Sequence, residues 1–540
     1  MVLTCVRTPD MHSRRLPNQG LAWYPGMMIP VIDLFAGPGG LGEGFSSLRN
    51  ARGSRVFKIG LSIEKDAIAH QTLLLRSFFR QFDRQSIPAE YYSCVRAEME
   101  IDDLLKKYPH EAKAARNEAI CAELGKHDWK QIDDKIKSAL GNSRNWVLIG
   151  GPPCQAYSLV GRSRMRGANP WKFGKDKRHL LYREYLRIIA AHRPPVFVME
   201  NVKGMLSSKF RRDPIIDQIL GDLREPHKAL PELMGDASCH PVLYNLFPLA
   251  DYGIGKSYKE GNVSPDKFVL RCEEHGIPQA RHRVVLVGVR SDLAKEVELL
   301  AQHKRVSMWR AIKDLPEMRS RLSKRSDSPE SWLQAIKEIC NCSVVPCNQM
   351  DTKMRRVIQR TAAKLTARRN VGAEYVESMA KPKWKSKWFY DSRLDGALNH
   401  STRSHIAEDL RRYFFAACFA KYNGKSPTIT DFPAALVPLH KNLKDKRPED
   451  MVFVDRFRVQ VANKPATTIT SHISKDGHYF IHPDPTQCHS LTVREAARLQ
   501  TFPDNYFFAG PRTAQYHQVG NAVPPLIAMS IARVVAQLFR

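Results

Sequence analysis

The sequence predicts an α/β protein built on a doubly wound, mostly parallel sheet, with a second, smaller lobe inserted late in the chain. Three observations carry that prediction. Short apolar, β-prone runs alternate with amphipathic helical stretches from Val31 to about residue 290, the pattern of strands joined by crossover helices. A glycine-rich turn, Gly37-Pro38-Gly39-Gly40, follows the first run directly. Regular alternation then lapses over 291–455 and returns from Arg456 onward, so one sheet domain is interrupted by a lobe.

Taken in order, residues 1–28 are polar and aperiodic and are expected to form a tail. Val31-Ile32-Asp33-Leu34-Phe35 reads as a buried strand, and Leu41, Phe45 and Leu48 share one face of the helix after it. A second strand runs from Val56 to Ile63 and ends in Glu64, and a helix covers Ala67 to Phe79. The charged stretch 100–145 reads as a helical insertion before the strand Trp146-Val147-Leu148-Ile149. Leu180, Leu181, Tyr185, Ile188 and Ile189 line the next helix, and Val196 to Met199 and Val284 to Val287 supply two more strands. The expected organisation is therefore a catalytic domain over 29–290, a lobe over 291–455 and a returning part over 456–540, closed by an apolar-faced helix from Leu526 to Leu538.

Lys and Arg total 84 against 55 Asp and Glu, a net charge of +29. That excess suits a polyanion, because each phosphate contact releases counterions. No apolar run reads as a membrane span. The 11 cysteines are odd in number and irregularly spaced, which favours free thiols in a reducing compartment. Neither the Asn399 to His405 stretch nor Cys340, Cys342 and Cys347 shows paired zinc spacing, so no metal is expected.

Several short motifs carry chemistry. A glycine-rich strand-to-helix turn lets backbone approach a ligand and offers free N–H groups at the helix start. Glu64, ending the second strand, is placed to accept ribose hydroxyls. The turn is not a P-loop, since no Gly-Lys-Ser/Thr follows, but Gly37, Gly39 and Gly42 also fit a dinucleotide fingerprint. Gly150-Gly151-Pro152-Pro153-Cys154-Gln155 follows the Trp146 strand, so a thiol stands at the sheet edge where such folds place ligands. Glu200 ends the Val196 strand, and Arg281 and Arg283 alternate in Gln279-Ala280-Arg281-His282-Arg283. The segment from Ser158 to Lys177 holds six Lys and Arg with interspersed glycines, the make-up of a mobile basic loop.

Asp33 to Gly40, the Pro-Pro-Cys-Gln loop, Glu200-Asn201-Val202, the Gln-Ala-Arg-His-Arg segment and Gly520-Asn521-Ala522-Val523-Pro524-Pro525 occur in that order. The series resembles that of the DNA (cytosine-5) methyltransferases, over about 31–100, 146–290 and 455–540. Lys464 to Thr470 is similar to a late motif of the same family. The resemblance implies a Rossmann-like S-adenosylmethionine-dependent methyltransferase sheet with a smaller target-recognition lobe, and it sets the dehydrogenase reading aside. Phe35, Gly37, Gly39 and Leu41 would contact S-adenosylmethionine and Glu64 its ribose. Glu98 would lie near the adenine, with Asp102 and Asp103 as alternatives, and Pro152, Asn521 and Val523 would complete the wall.

C5 of cytosine is too weak a nucleophile to take a methyl group unaided. Thiolate addition at C6 makes C5 enamine-like, and a carboxyl at N3 offsets the charge that builds on the ring. The resemblance gives Cys154 the first role and Glu200 the second, with Arg283 on the target base and Arg281 on Glu200. C5 is inaccessible within a duplex, so the target base must be flipped out. The expected partners are double-stranded DNA and a paired restriction endonuclease or defence proteins, for an enzyme acting as a monomer in a bacterial cytoplasm. A tRNA methyltransferase of the same fold and a non-catalytic DNA-binding relative are the alternatives.

Overall fold

The computed structural model describes residues 28–153, 178–207, 209–210, 213–230, 242–250, 264–293, 295–377, 379–438 and 454–540. Cys154 and the basic segment 158–177 lie outside the described residues, as does most of the expected N-terminal tail.

The sheet domain opens with β1 (Ile29–Leu34), α1 (Gly40–Ser47), β2 (Phe57–Glu64) and α2 (Ala67–Arg80). Three short helices then lead to β3 (Ala119–Cys121), α3 (Trp129–Leu140) and β4 (Val147–Gly150). After α4 (Arg178–His192) come β5 (Val196–Val202), β6 (Tyr244–Phe247), β7 (Val269–Arg271) and β8 (His282–Arg290). The strands lie in the order β3-β2-β1-β4-β5-β8-β6, with β7 also paired to β8. The first five run parallel, and β8 is antiparallel to β5, β6 and β7. Strand order reverses between β1 and β4, which opens a crevice at their C-terminal ends.

Local chemistry accounts for these elements. Val31, Ile32 and Leu34 are fully buried because helices cover both faces, as parallel sheets require. Asp66 caps α2 by accepting from Ile68 N and Ala69 N. Behind the cofactor-type turn, Arg76 Nε donates to Glu43 Oε2 at 2.9 Å, an ion pair buried between α1 and α2.

The segment 100–145 is not a purely helical insertion. Its Ala119–Cys121 pairs in parallel register with Ser62–Glu64 and forms the outer strand of the sheet. Three residues are too few to show a strand period. The lobe also departs from its expected limits. Its core, built on the helices Pro329–Lys337, Thr352–Ala362 and Ala407–Asn423, includes Phe457, Val459, Ile481 and Cys488, beyond residue 455. Conversely Val297, Leu300, Met308 and Ile312 pack in the sheet domain's core, although they follow residue 291. Compositional change marks where regular alternation stops, not which core a side chain joins.

Two further expectations are amended. Cys342 and Cys347 form a disulfide, Cα–Cα 5.3 Å, rather than two free thiols. The stretch Arg512–Gln537 has the length and hydropathy of a membrane span, but 72% of its apolar window is buried inside the protein. It comprises α5 (Arg512–Asn521) and α6 (Pro525–Gln537), separated at Pro524.

Candidate active site

A cleft of about 1080 Å³ opens at the C-terminal ends of β1 to β5. Phe35, Gly37, Leu41, Glu64, Pro152, Glu200, Arg281, Arg283, Asn521 and Val523 all line it. The turn after β1 takes left-handed backbone at Phe35 (φ 55°), Gly37 (φ 57°) and Gly39 (φ 92°). Such a value is costly for a phenylalanine and marks strain at a ligand-facing turn. Gly39 lies under the turn, where a Cβ would stand 2.9 Å from Leu73 Cδ1 and Tyr506 Oη. At Gly40 a Cβ would come within 2.3 Å of the Val523 carbonyl oxygen, so this turn and the Gly-Asn-Ala-Val segment touch backbone to backbone. Tyr506 Oη donates to the Pro38 carbonyl and braces the same turn.

Glu64 closes the turn from β2. Its Oε2 accepts Gly37 N at 2.7 Å and its Oε1 accepts Asp66 N at 2.8 Å. A carboxylate has about four acceptor positions, so lone pairs remain for further donors. Beneath it, Asp33 is fully buried with neither carboxylate oxygen hydrogen-bonded among the described residues. Burial pushes its pKa up to about 7.

Glu98 does not reach the cleft. Its side chain is 52% exposed and pairs with Arg96 at 2.9 Å. On that side the cleft is lined instead by Ala122, Glu123 and Leu124, directly after β3. Glu123 holds Lys126 at 2.6 Å and Lys65 at 3.6 Å. It escaped the sequence reading because β3 itself did. Asp102 and Asp103 sit in the first turn of the helix Ile101–Lys107 and do not line the cleft either.

Glu200 lies two residues before the end of β5, with its carboxylate against the loop after β4. A Cβ on Gly151 would lie 3.1 Å from Glu200 Oε2. The adjoining Asn201 Nδ2 donates to the Pro152 carbonyl at 3.1 Å and fixes the loop that leads to Cys154. Arg283 Nε stands 2.9 Å from Glu200 Oε1, both side chains nearly buried.

Arg281 has a different place from the one expected. It is buried, and it donates to the carbonyls of Ile469 (2.7 Å), Gly520 (3.2 Å) and Ala522 (2.9 Å). The pair on Glu200 is thus Arg283, not Arg281. The reason is a break in the strand: Gln279–Ala280 pairs with Ala466–Thr467, and β8 begins only at His282. Arg281 N bonds back to Gln279 O at that kink, so the two arginines do not share one face. Burial, then repulsion from Arg283, lowers the Arg281 pKa to about 9.

The opposite wall was missed by residue: Thr470, Ser471, His472 and Lys475, with Thr513, His517 and Gln518 of α5. The Gln279–Ala280 pairing explains their position, since Ile469 N donates to Gln279 Oε1 at 2.8 Å and Thr468 Oγ1 to Ala280 O at 2.7 Å. Away from the cleft, His482, His489 and Glu495 converge within 4.8 Å. His482 Nδ1 accepts Asp484 N and Glu495 Oε2 accepts Thr492 N, so these groups brace a turn and a helix start.

Known proteins resemble this chain along most of its length. The family model described as C-5 cytosine-specific DNA methylase matches residues 92–226 and 264–537. The type II methyltransferase M.Bpa9945I of Bacillus paralicheniformis is 32% identical over 94% of this chain and 98% of its own length. Type II methyltransferase M.AgeI of Thalassovita gelatinovora is 25% identical over 94% and 99%. The DNA (cytosine-5-)-methyltransferase M.ApeKI of Aeropyrum pernix is 26% identical over 73% and 81%. With that match and the cleft built from its motifs, the chain belongs to the C-5 cytosine-specific DNA methylase family.

Proposed function

We propose that this protein transfers the methyl group of S-adenosylmethionine to C5 of a cytosine flipped out of duplex DNA, through a covalent adduct with Cys154. The carrying observation is Glu200. Arg283 holds its carboxylate at 2.9 Å, and it stands against Gly151, three residues before Cys154, on the wall of the cleft that also holds the glycine turn.

The residues present fit the cofactor. Phe35, Gly37, Leu41, Pro152, Asn521 and Val523 would enclose it, with Gly39 supporting the turn from beneath, Glu64 would take the ribose, and Glu123 would stand in for Glu98 on the adenine side. S-Adenosylmethionine supplies an electrophilic methyl group on a sulfonium. The chain's residues do the rest. The Cys154 thiolate would add to C6 of cytosine, leaving C5 with the electron pair that takes up the donor's methyl group. Glu200 shares a proton with N3 and disperses ring charge, while Arg283 orients Glu200 and the base. Loss of the C5 proton to a base then expels the thiolate. Arg281 ties the Ile469 and Gly520 loops together, acting as a positioning residue.

The setting supported by the relatives' names is a type II modification enzyme paired with a restriction endonuclease that cuts the unmethylated sequence. The test is incubation with labelled S-adenosylmethionine and either duplex DNA or tRNA, comparing wild type with Cys154→Ala. Label on DNA, lost in the variant, is expected, and bisulfite sequencing of that product reads out the target. Label on tRNA alone, or on neither, overturns the proposal.

A further inference from the structure

We infer that the N-terminal edge of the sheet is a second DNA-binding surface, which takes the phosphate backbone of a DNA segment other than the one at the cleft. In a parallel sheet with crossover helices, the turns that leave helices gather at the edge opposite the strands' C-terminal ends. Arg49 follows α1, and Arg52 sits in the turn that leads to β2. Arg84 follows α2. The cleft meets α2 at Asp66 and Ala69, and α2 is 14 residues long, so this edge stands about 21 Å away. At that distance the edge lies outside the cleft that would seat the target duplex.

The two turns form one surface. Arg55 donates to the carbonyls of Arg80 (2.6 Å) and Phe82 (2.8 Å), joining the start of β2 to the end of α2. Arg84 reaches the Lys387 carbonyl at 3.4 Å, bringing in the segment 381–387. There Lys381, Lys383 and Lys385 are exposed while Pro382 and Trp384 between them are buried. Trp384 belongs to the sheet domain's core, so the lysines are carried on an anchored segment.

The cations are preset and unneutralised. Asn50 Oδ1 accepts from Arg52 N and Ser54 N, which fixes the turn, and Arg49 donates to Ser46 O at 2.7 Å. Among the described residues, none of Arg49, Arg52, Arg84, Lys383, Lys385 and Lys387 has a carboxylate within 4.0 Å. Asp83 is the acidic residue at this edge, and Glu43 and Glu118 below it are engaged by Arg76 and Arg80. Burial and the adjacent Arg55 lower the Arg49 pKa, in keeping with cations left to repel one another. Fixed, like-charged groups of this density suit a polyphosphate, whose counterions they release. Two DNA segments held at once would let the enzyme pass between distant sites without dissociating.

The choice of DNA as the polyanion rests on the proposed function, and the experiment separates the two. A biotinylated duplex carrying the target is fixed to beads, full-length protein is added, and a labelled duplex lacking the target is offered at 50–200 mM salt. Methylation of the fixed duplex is measured on the same sample, so a failure of the proposed function shows as no methylation, and a failure of this inference as no second duplex. The variant is Arg52→Glu/Lys383→Glu/Lys387→Glu, three exposed side chains. Arg52→Glu alone, at a turn tip, serves if the triple variant melts early. Wild type is expected to retain the second duplex. The triple variant is expected to retain at least ten-fold less, with a log–log salt slope reduced by about 3, and to methylate a short single-site duplex at the wild-type rate. No retention by wild type, equal retention by the variant, or equal loss of methylation and retention would each overturn the inference.

Discussion

Gly40→Ala tests the cofactor wall most directly. The added Cβ would stand 2.3 Å from the Val523 carbonyl oxygen and 3.3 Å from Val523 N, both backbone atoms. Ordinary contact needs at least about 3.4 Å, so the glycine turn and the Gly-Asn-Ala-Val segment must part by about 1 Å. Neither can yield by rotating a side chain. The turn is braced by Tyr506, and the Gly520 and Ala522 carbonyls are held by Arg281. A misplacement of that size costs on the order of 100-fold in a positioned site, or about 2.7 kcal/mol. Titration calorimetry with S-adenosylmethionine is expected to show Kd raised 10- to 100-fold. Gly37→Ala is the control, because no atom lies within 4 Å of its Cβ position and only its φ of 57° is penalised, by about 1–2 kcal/mol. It should lower Tm while weakening cofactor binding less than Gly40→Ala does. Wild-type affinity in Gly40→Ala, with Tm unchanged, would refute the reasoning.

The two arginines should separate by assay. Arg283→Ala removes the 2.9 Å partner of Glu200 and is expected to lower kcat by about 10²–10³ with little change in Tm. Arg281→Ala strands three buried carbonyls and should instead lower stability by about 3 kcal/mol, read by urea unfolding. Glu43→Gln leaves Arg76 charged and unpaired in the core, and a loss of about 3–5 kcal/mol is expected from the same measurement. Asp33 gives a pH signature. Its pKa is about 7 in the folded chain against 3.8 as the ordinary value, so the folded state holds the proton that the unfolded state has lost. Its contribution is fully present below about pH 4 and declines as pH rises to about 7, by up to about 1.4 kcal/mol per unit. Asp33→Asn stays neutral throughout, so its unfolding midpoint should gain steadily on that of wild type from pH 4.5 to 7.5. A constant difference would sink this assignment.

Part of this protein was legible residue by residue. β1, β4 and β5 are buried on both faces and read as nearly continuous apolar runs, β2 alternates apolar with other residues, and the chemistry stands at or near their ends: the turn after Leu34, Glu64, the loop after Gly150 and Glu200. These positions follow from local rules, since a strand's end, a helix's start and a glycine's freedom each involve only neighbouring residues. What the tertiary structure alone decided depends on contacts between segments far apart in the chain. β3 exists because Ala119–Cys121 finds β2, and that pairing puts Glu123 rather than Glu98 in the cleft. Arg283 rather than Arg281 meets Glu200 because Ala466–Thr467, nearly 190 residues on, draws Gln279–Ala280 out of β8. Composition marks where the lobe's pattern changes, yet Phe457 and Ile481 join its core and Met308 joins the other. Periodicity encodes which face of an element is buried; only packing determines what lies against it.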